Sequence, residues 1–472
     1  MPRAGVPFFL AIVCRQASIA SEVERGYARE NFPTGPKPAM KTSLTAAIVC
    51  CCLLGCAANA TSASTAEPAA ATLADRQGMS VVRLQRLTNF MNNVVVAGDY
   101  LGAVTLVARD GQIIDQRAYG HRDLGRTSAT LPDTIFRIYS MTKPITSVAV
   151  LMLMEEGKLS LEDPVSKYLP AFSVMQVQVG GTVAAPQLRP AVRPITIRHL
   201  LTHTAGFATG GENLEAVKRF NSVDLHKSLN LKAYVEYVAK QPLAADPGTR
   251  FNYDGVPLEV LSHLIEVVAG IPFDLFLARY LLGPLRMVDS GFSVPFEKRQ
   301  RVADLASTDQ AGKLVLATPR HAKFPGEMLN PYPSGAGGLY STAIDFLRFS
   351  QMLLNGGELD GIRLLGRKTV ELMTVNHLPS HCLPFRLGPP EVDHLTLGHG
   401  FGLGVRVLLD ATQVGFLGSE GEFGWSGAAN TAFWVDPKEE MICLFMTQFM
   451  PAFVIYPVER QFKVLAYQAI VD

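Results

Sequence analysis

The segment "FRIYSMTKPITSVAVLMLMEEGKL", from Phe136 to Leu159, combines a long apolar run with a serine and a lysine near its start. The segment predicts a buried helix that begins at Phe136 and whose end is marked by Gly157. Three positions separate Ser140 from Lys143, so the two side chains would be neighbours on one face of this helix. An unpaired ammonium is costly to bury, and the lysine therefore indicates a functional site.

The spacing of the serine and the lysine suits nucleophilic catalysis. A serine hydroxyl is a poor nucleophile at neutral pH and requires a base beside it. A lysine amine can act as that base when burial in apolar surroundings lowers its pKa. The free amide donors at the start of the helix add a partial positive charge beside the attacking oxygen. The same spacing also fits a helix cap followed by a lysine that extends towards solvent, so other motifs must decide.

The composition is that of a globular enzyme. Of the 472 residues, 48% are hydrophobic and 18% are charged, which is sufficient for a sizeable core. Lysine and arginine number 43, and aspartate and glutamate number 42, which gives a net charge of +1. Because there is no excess of positive charge to attract a polyanion, we expect no nucleic-acid partner and a specificity that depends on a local site.

The N-terminal residues contain a secretory signal pattern. From Met40 the sequence has an early lysine, an apolar run at 44–54 and then small residues, which predicts a signal peptide over residues 40–60. The apolar run is too short to span a bilayer, which requires about 20 residues. Residues 1–39 precede this complete signal, and we interpret them as a non-native upstream extension.

The signal contains the sequence "LLGC", which ends at Cys56 and resembles the lipobox of bacterial lipoproteins. This resemblance implies a lipidated Cys56 that anchors the protein to the outer membrane. Cleavage after Ala60 is the alternative and would release a soluble periplasmic protein. In both cases the protein is exported, and residues 57–79, rich in Ala, Ser and Thr, form a flexible tether. Cys382 and Cys443 are the cysteines beyond the leader, and their pairing is left open.

Strand signals occur at both ends of the remaining chain. Near the start, two strand-like runs flank a tight turn at Arg109-Asp110-Gly111, after a helix predicted from about residue 81. Near the end, "FGLGVRVLLD", "NTAFWVD" and "MICLFMTQ" are strand-like, and a last helix is predicted at about 458–471. The chain between these parts is rich in helix and loop signals.

This distribution predicts an α+β fold over residues 80–470, with a mostly antiparallel sheet built from both chain ends and flanked by helices. Within this domain, an α/β lobe would comprise residues 80–160 and 330–470, approximately. A mainly helical subdomain would be inserted at about 160–330.

Four blocks of the chain together carry a family resemblance. The stretch "IYSMTKPITSVAVLMLMEEGKLSLEDPVSKYLP" resembles the nucleophile segment of the serine β-lactamase and penicillin-binding-protein superfamily. It is most similar to the class C-like branch, which includes family VIII carboxylesterases, D-aminopeptidases and DD-peptidases. "ITIRHLLTHTAGF", "PGTRFNYDG" and "SGAGGLYSTAIDFLRFSQMLLNGG" are similar to the other signature blocks and follow in the same order. The resemblance covers about residues 80–470. It implies a β-lactamase/transpeptidase-like fold, with Ser140 as nucleophile and Lys143 as its base.

The resemblance extends to a second motif, Tyr-x-Asn or Tyr-x-Ser, which Tyr253 matches in "NYDG". It implies that Tyr253 shares proton transfer with Lys143, because a phenol whose proton is loosened by positive charge can accept and return a proton. The same match assigns Asp254 to the substrate pocket. Gly255 departs from the family pattern, in which an asparagine helps to hold the acylamide chain of the substrate, so amide recognition is in doubt.

The third motif is Lys-Thr-Gly or His-x-Gly in members that recognise penicillin, and Trp425-Ser426-Gly427 occupies the corresponding place. Trp-x-Gly resembles the family VIII esterases. A cation here would pair with a substrate carboxylate, whereas an indole offers apolar area and a single donor, which favours neutral esters. By the same match these three residues line the substrate pocket, and the N–H groups of Ser140 and Ala428 form an oxyanion hole.

Three other patterns resemble known functional motifs, but the residues around them do not support those functions. His199 and His203 have a spacing that can bind zinc, but no glutamate follows the first histidine as in metalloproteases, so no metal site is predicted. "GWSGA" at 424–428 approaches the nucleophile elbow of α/β-hydrolases, but that fold needs a histidine after the serine, and the last histidine is His399. "SGAGGL" lacks the Lys-Ser/Thr of a phosphate loop and is interpreted as a loop lining the site.

The sequence thus predicts an exported serine hydrolase that works through an acyl-enzyme and needs no cofactor. Small carboxylic esters are the favoured substrates. One alternative is a β-lactamase, DD-peptidase or D-aminopeptidase that acts on cell-wall peptides or β-lactams. Another is a non-catalytic cell-wall binding protein with the same fold. Intact Ser140, Lys143 and Tyr253 argue against this binding protein, which has no use for a lysine beside an exposed serine. The oligomeric state is not predicted.

Overall fold

A sheet of seven antiparallel strands forms the centre of the computed structural model, which describes residues 72–210, 214–318, 324–387, 396–450 and 457–472. The strands in these ranges are, in chain order, β1 (Gly102–Arg109), β2 (Gln112–Gly120), β3 (Phe136–Arg137), β4 (Gln176–Gly181), β5 (Pro186–Pro190), β6 (Ala306–Thr308), β7 (Leu314–Leu316), β8 (Tyr340–Ser341), β9 (Glu358–Leu359), β10 (Ile362–Arg363), β11 (His399–Phe401), β12 (Arg406–Leu408), β13 (Phe423–Gly427), β14 (Thr431–Asp436) and β15 (Met441–Thr447).

The helices of the same ranges flank this sheet or form the inserted subdomain. They are α1 (Leu73–Arg76), α2 (Val81–Ala97), α3 (Thr142–Glu155), α4 (Ile197–Leu201), α5 (Leu214–Phe220), α6 (Leu231–Ala239), α7 (Val256–Ala269), α8 (Phe273–Leu277), α9 (Ala343–Leu354), α10 (Arg367–Met373), α11 (Ala411–Val414) and α12 (Pro457–Tyr467).

The strand order joins the two ends of the chain. Across the central sheet the order is β11-β12-β13-β14-β15-β1-β2, and every neighbouring pair is antiparallel. β1 therefore pairs with β15, with Val104 opposite Met446. This confirms the predicted α+β fold, in which a mostly antiparallel sheet is built from both chain ends and flanked by helices.

Helices cover both faces of the sheet. Along β1, Val104 and Leu106 belong to the core that includes α3 and α9. Ala103 and Val107 belong to the core that includes α2 and α12. This alternation follows from the two-residue period of a strand, whose successive side chains point to opposite faces. β1, β14 and β15 are buried along their whole lengths because both faces are covered.

The predicted turn joins β1 to β2. Asp110 and Gly111 both have positive φ, 50° and 71°, as a two-residue hairpin turn of the primed type requires. The helix predicted before this hairpin is α2, and Gly98 ends it with φ 82° in the left-handed region. Local turn chemistry thus accounts for the start of the domain as the sequence predicted.

The first described residues belong to the domain. Thr72 caps α1 with its side chain, and Met79 is fully buried and forms a β-bridge with Ile470. The prediction of a flexible tether is therefore wrong for residues 72–79, because Thr72 caps α1 and Met79 packs in the core between the sheet and α2. Residues 57–71 of that tether, the predicted signal, residues 1–39 and Cys56 lie outside the described residues.

The chain between α3 and α9 is mainly helical, with α7 in contact with α3, α4, α6 and α8. Two hairpins, β4–β5 and β6–β7, lie within it. The second hairpin returns to the sheet before residue 330, since Ala306 forms a bridge with Phe449. None of the described helices is long and apolar enough to cross a membrane alone, although Val256–Ala269 and Phe273–Leu282, bent by 77°, meet that test as a pair.

The two cysteines beyond the leader are buried free thiols. Cys443 lies within β15, and Cys382 lies in a 3₁₀ turn at Ser380–Cys382. The disulfide that the sequence left open is not formed in this structure.

Candidate active site

Ser140 lies in a tight turn just before α3. The chain leaves β3, which pairs with β8, and Tyr139–Met141 form one 3₁₀ turn before α3 begins at Thr142. Tyr139 has φ 42°, in the left-handed region that is unfavourable for a residue with a side chain. The predicted helix is therefore too long at its start, because pairing with β8 holds β3 extended. Its predicted end is correct, since Gly157 follows the last turn with φ 70°.

Lys143 lies in the first turn of α3 and is only 3% exposed. Its Nζ is 3.0 Å from Ser140 Oγ and donates to the carbonyl of Ala336 at 2.8 Å. The same atom lies 4.9 Å from the centre of the Tyr253 ring, a distance at which a cation and an aromatic ring attract each other. These contacts hold the amine beside Ser140, at a separation over which a proton can pass between the two groups.

Tyr253 lies on the loop before α7 and contacts Trp425 of β13. The indole N–H of Trp425 donates to Tyr253 Oη at 3.0 Å, and the two ring centres are 5.0 Å apart. Trp425 is 5% exposed. Tyr253 therefore accepts the single donor of the indole, and the place of Trp425 in the substrate pocket stays a prediction. Ser426, the next residue on β13, is partly exposed, and its contact with substrate stays a prediction.

Aromatic rings form a continuous layer behind Tyr253. The His203 ring is 4.7 Å from the Tyr253 ring, and the Phe401 ring is 5.4 Å from His203 and 5.2 Å from Trp425. His203 is buried, and neither of its ring nitrogens bonds to another described residue. Burial and the nearby charge of Lys143 lower the pKa of His203 well below its usual range, which keeps the ring neutral.

The other histidine of the "HLLTH" stretch serves a different purpose. His199 Nδ1 accepts from the N–H of Thr196 at 3.1 Å, within the capping box of α4. The two histidines therefore do not converge on one point. Over the described ranges, no three His, Cys, Asp or Glu side chains are grouped as metal ligands would be.

Asp254 closes the loop that carries Tyr253. Its carboxylate accepts from the hydroxyl of Thr209 and from the N–H of Val256, both at 2.6 Å. Burial raises the pKa of this carboxyl to about 6, although both hydrogen bonds and the charge of Lys143 oppose the rise. These hydrogen bonds account for the position of the Asp254 carboxylate without any contact to a substrate. The place of Asp254 in the substrate pocket stays a prediction.

The end of β13 lies directly against the turn that carries Ser140. A Cβ on Gly427 would lie 2.3 Å from the carbonyl oxygen of Ile138, so glycine is required for this close approach. Thr431, opposite Gly427, donates its hydroxyl to the same carbonyl at 3.3 Å. Ala428 follows Gly427 at this junction. Neither its N–H nor that of Ser140 donates to another described residue, so both amides are available to a substrate oxygen.

The structure adds a buried carboxylate that the sequence prediction missed. Glu259 of α7 is 3% exposed and accepts a hydrogen bond from the hydroxyl of Ser334. Burial raises the pKa of Glu259 to about 7, although this bond and the charge of Lys143 oppose the rise. The sequence could have indicated this residue, because Glu259 interrupts the apolar stretch "VPLEVLSHLI" and a glutamate is rarely buried without a partner.

Comparison with known proteins points to one family. The Beta-lactamase family model matches residues 85–467. Protein Rv1367c of Mycobacterium tuberculosis is 32% identical over 368 residues, which are 76% of this chain and 89% of that protein. Esterase EstB of Burkholderia gladioli is 30% identical over 371 residues, which are 74% of this chain and 86% of the esterase. The solved structure of "EstCE1, a hydrolase with promiscuous acyltransferase activity" matches with a TM-score of 0.67 and 26% identity, over 85% of this chain and 100% of that one.

Proposed function

The chain belongs to the beta-lactamase family of serine hydrolases, and we propose that within this family it is an exported carboxylesterase that cleaves small esters through an acyl-enzyme on Ser140. The proposal assigns the nucleophile to Ser140 and proton transfer to Lys143 and Tyr253. It assigns the oxyanion donors to the N–H groups of Ser140 and Ala428.

Acylation begins when Ser140 Oγ attacks the carbonyl carbon of the ester. The hydroxyl proton passes to Lys143 Nζ, 3.0 Å away, and is shared with Tyr253, whose ring contacts the same amine. The carbonyl oxygen becomes an oxyanion and accepts from the two backbone amides. As the carbon–oxygen bond to the alcohol breaks, the proton returns to the alcohol oxygen, which leaves as a neutral molecule.

Deacylation repeats these steps with water in place of serine. Water gives one proton to the Lys143 and Tyr253 pair while its oxygen attacks the acyl carbon. The tetrahedral intermediate then collapses, the bond to Ser140 Oγ breaks, and the proton returns to that oxygen. The carboxylic acid is released and the enzyme regains its starting state without any cofactor.

The observation that carries the choice of ester is the Trp425 indole. The resemblance places a substrate-binding cation at this position in penicillin-recognising members, whereas this chain has a buried neutral ring whose N–H is bonded to Tyr253. A substrate carboxylate would lose its hydration on binding without gaining a cation at the position of Trp425. A neutral ester has less hydration to lose and is therefore favoured. The similarity to a protein named as an esterase supports the same choice.

The experiment compares two chromogenic substrates at equal concentration. We expect kcat/KM for a short p-nitrophenyl ester to exceed that for nitrocefin by at least about 10²-fold, because the carboxylate of nitrocefin has no cation to bind at the position of Trp425. Ser140→Ala is the control and should abolish both activities. Preferential turnover of nitrocefin would favour the β-lactamase or DD-peptidase alternative and contradict the proposal.

Covalent labelling tests the alternative of a non-catalytic binding protein. A fluorophosphonate probe reacts with activated serines, so the wild-type chain should be labelled at Ser140 and Ser140→Ala should not. Lys143→Met should also prevent labelling, because the serine then lacks its base. Absence of wild-type labelling would exclude the acyl-enzyme mechanism.

Export is proposed from the leader alone. "LLGC" supports lipidation of Cys56, and radiolabelled palmitate should then appear in the protein expressed in a bacterial host. Cys56→Ala should remove the label, while Cys52→Ala, a neighbouring cysteine of the same leader, should retain it. Release of unlabelled, processed wild-type protein into the periplasm would contradict lipidation and support cleavage after Ala60.

A further inference from the structure

A second acceptor holds the Lys143 amine beside Ser140. It is the carbonyl oxygen of Ala336, 2.8 Å from Nζ, in the middle of the loop "SGAGG" at residues 334–338. The hydrogens of an amine point in fixed directions, so a shift of this carbonyl would turn Nζ away from Ser140 Oγ. The position of the 334–338 loop therefore decides how the amine faces the serine.

Two helices hold this loop from opposite sides. Thr146 of α3 donates its hydroxyl to the carbonyl of Gly335 at 2.8 Å. On the other side, a Cβ on Gly335 would lie 1.9 Å from Ser262 Oγ of α7, so α7 approaches the loop as closely as glycine permits. The same helix carries Glu259, whose carboxylate accepts from the hydroxyl of Ser334. When Glu259 is ionised this bond is charge-assisted and is the strongest type among these contacts.

Glu259 is an unusual residue for this position because the charge of Lys143 and the hydrogen bonds from the loop only partly offset the burial that raises the pKa of its carboxyl. The titratable groups that face it are Lys143 on α3, Tyr234 on α6 and Tyr332 ahead of the loop. The backbone N–H groups of Gly335 and Ala336, in the same loop, also lower the pKa of this carboxyl. Burial of a carboxylate is costly, and the donors of the 334–338 loop, with the Ser334 hydroxyl first among them, are what this carboxylate gains in return.

We propose that Glu259 is a positioning residue: through Ser334 it holds the 334–338 loop, and so keeps the Ala336 carbonyl and Lys143 Nζ aligned on Ser140. This inference rests on the proposed function, because it assumes that Lys143 acts on Ser140. Glu259 bonds to Ser334 and not to the reacting atoms. Its effect should therefore appear in the rate of acyl transfer and not in the affinity for the ester.

The test is a double-mutant cycle with Ser334→Ala and Glu259→Gln. Ser334→Ala should lower kcat for the p-nitrophenyl ester about tenfold and change KM less than about twofold. Glu259→Gln removes the charge but keeps one acceptor oxygen, so kcat should fall about threefold. In the Ser334→Ala background the same change should lower kcat less than it does in the wild type, because the hydroxyl partner is gone and only the amides of Gly335 and Ala336 remain beside the carboxylate.

Ser350→Ala is the matched control. Ser350 of α9 is also a buried serine, and its hydroxyl donates to the carbonyl of Phe346 at 2.9 Å. Its removal should leave kcat unchanged. All rates are divided by the concentration of sites that the fluorophosphonate probe labels, so that a loss of folded protein does not lower the measured kcat.

The outcomes separate this inference from the proposed function. If Ser140 is labelled in the wild type but Ser334→Ala matches Ser350→Ala in kcat, the inference is overturned and the proposed function stands. Independent, multiplicative effects of Ser334→Ala and Glu259→Gln would also overturn it. If the wild type is neither labelled nor active on esters, the proposed function fails, and the inference fails with it.

Discussion

The indole N–H of Trp425 donates to the phenol oxygen of Tyr253 at 3.0 Å, which ties the last third of the chain to the loop before α7. A phenol that accepts a hydrogen bond has a fixed oxygen position, and its oxygen is a better site for developing negative charge. Trp425 therefore holds the phenol oxygen of Tyr253 in place.

Trp425→Phe tests this bond, since it removes the donor and keeps much of the apolar area. Loss of one neutral hydrogen bond costs about 1 kcal/mol, so kcat/KM for the p-nitrophenyl ester should fall about fivefold. Trp434→Phe is the control, because Trp434 is the other tryptophan of the chain, is also buried, and packs against Phe462 of α12. Equal activity of the two variants would contradict the role of the bond.

Lys143→Met should remove the base while keeping a long side chain of similar volume. General base catalysis contributes about 10²- to 10⁴-fold, and kcat should fall by at least about 10²-fold. The variant should remain folded, because a methionine fits a site that is 3% exposed without a charge to bury. Thermal unfolding checks the fold and ester hydrolysis checks the rate. A kcat within tenfold of wild type would argue for another base.

Gly427→Ala should separate β13 from the turn that carries Ser140. The added Cβ would meet the carbonyl oxygen of Ile138 at 2.3 Å, so the strand end must move and take the Ala428 amide with it. Loss of one oxyanion donor lowers kcat by about 10²- to 10³-fold. Gly291→Ala is the control, since its Cβ would meet the nearest atom at an ordinary 3.5 Å. Activity like that of this control would exclude the predicted oxyanion hole.

The stability of the fold should fall as the pH rises from about 4.5 to about 7. Burial raises the pKa of Glu259 from 4.5 to about 7, so its contribution is fully present below pH 4.5 and is lost as Glu259 ionises. The loss amounts to at most about 3 kcal/mol in the free energy of unfolding. Asp254, with a pKa raised from 3.8 to about 6, adds a loss of the same sign.

Urea unfolding of wild type and Glu259→Gln at pH 5 and pH 8 measures this effect. The free energy of the wild type should decrease relative to that of the variant by up to about 3 kcal/mol between the two pH values. Asp254 remains in both proteins, so its titration cancels in this comparison. A difference that does not change with pH would show that Glu259 does not titrate in this range.

Ser140, Lys143 and Tyr253 were proposed from short motifs, and the structure brings their side chains into one cluster. Spacing within one segment predicts the first pair, while Tyr253 required the family resemblance, because contacts between distant segments have no local sequence pattern. The start of α3 was wrong for the same reason. Pairing between β3 and β8 joins segments far apart in the chain and overrides the helical signal of the apolar run.

The partner of a hydrogen-bond donor was the least predictable property of the site. The sequence identified Trp425 as a neutral residue with one donor, but its bond to Tyr253 depends on how β13 packs beside the loop before α7. Glu259 was visible as an acidic residue in an apolar helix, yet its partner Ser334 lies in another segment. Hairpins and helix ends, which depend on neighbours along the chain, were predicted more accurately, as Asp110-Gly111 and Gly157 illustrate.

The pairing of β1 with β15 has a consequence for the synthesis of the protein. β1 lies between β2 and β15 in the sheet, so one of its edges stays unpaired until residues 441–447 have been made. A ribosome has by then also translated residues 121–440, which lie between β2 and β15 in the chain. Contacts between such distant segments form slowly, since a long loop must close first. The central sheet can therefore be completed only after residue 447 has been translated, so that the sheet stays incomplete while residues 121–440 are being made.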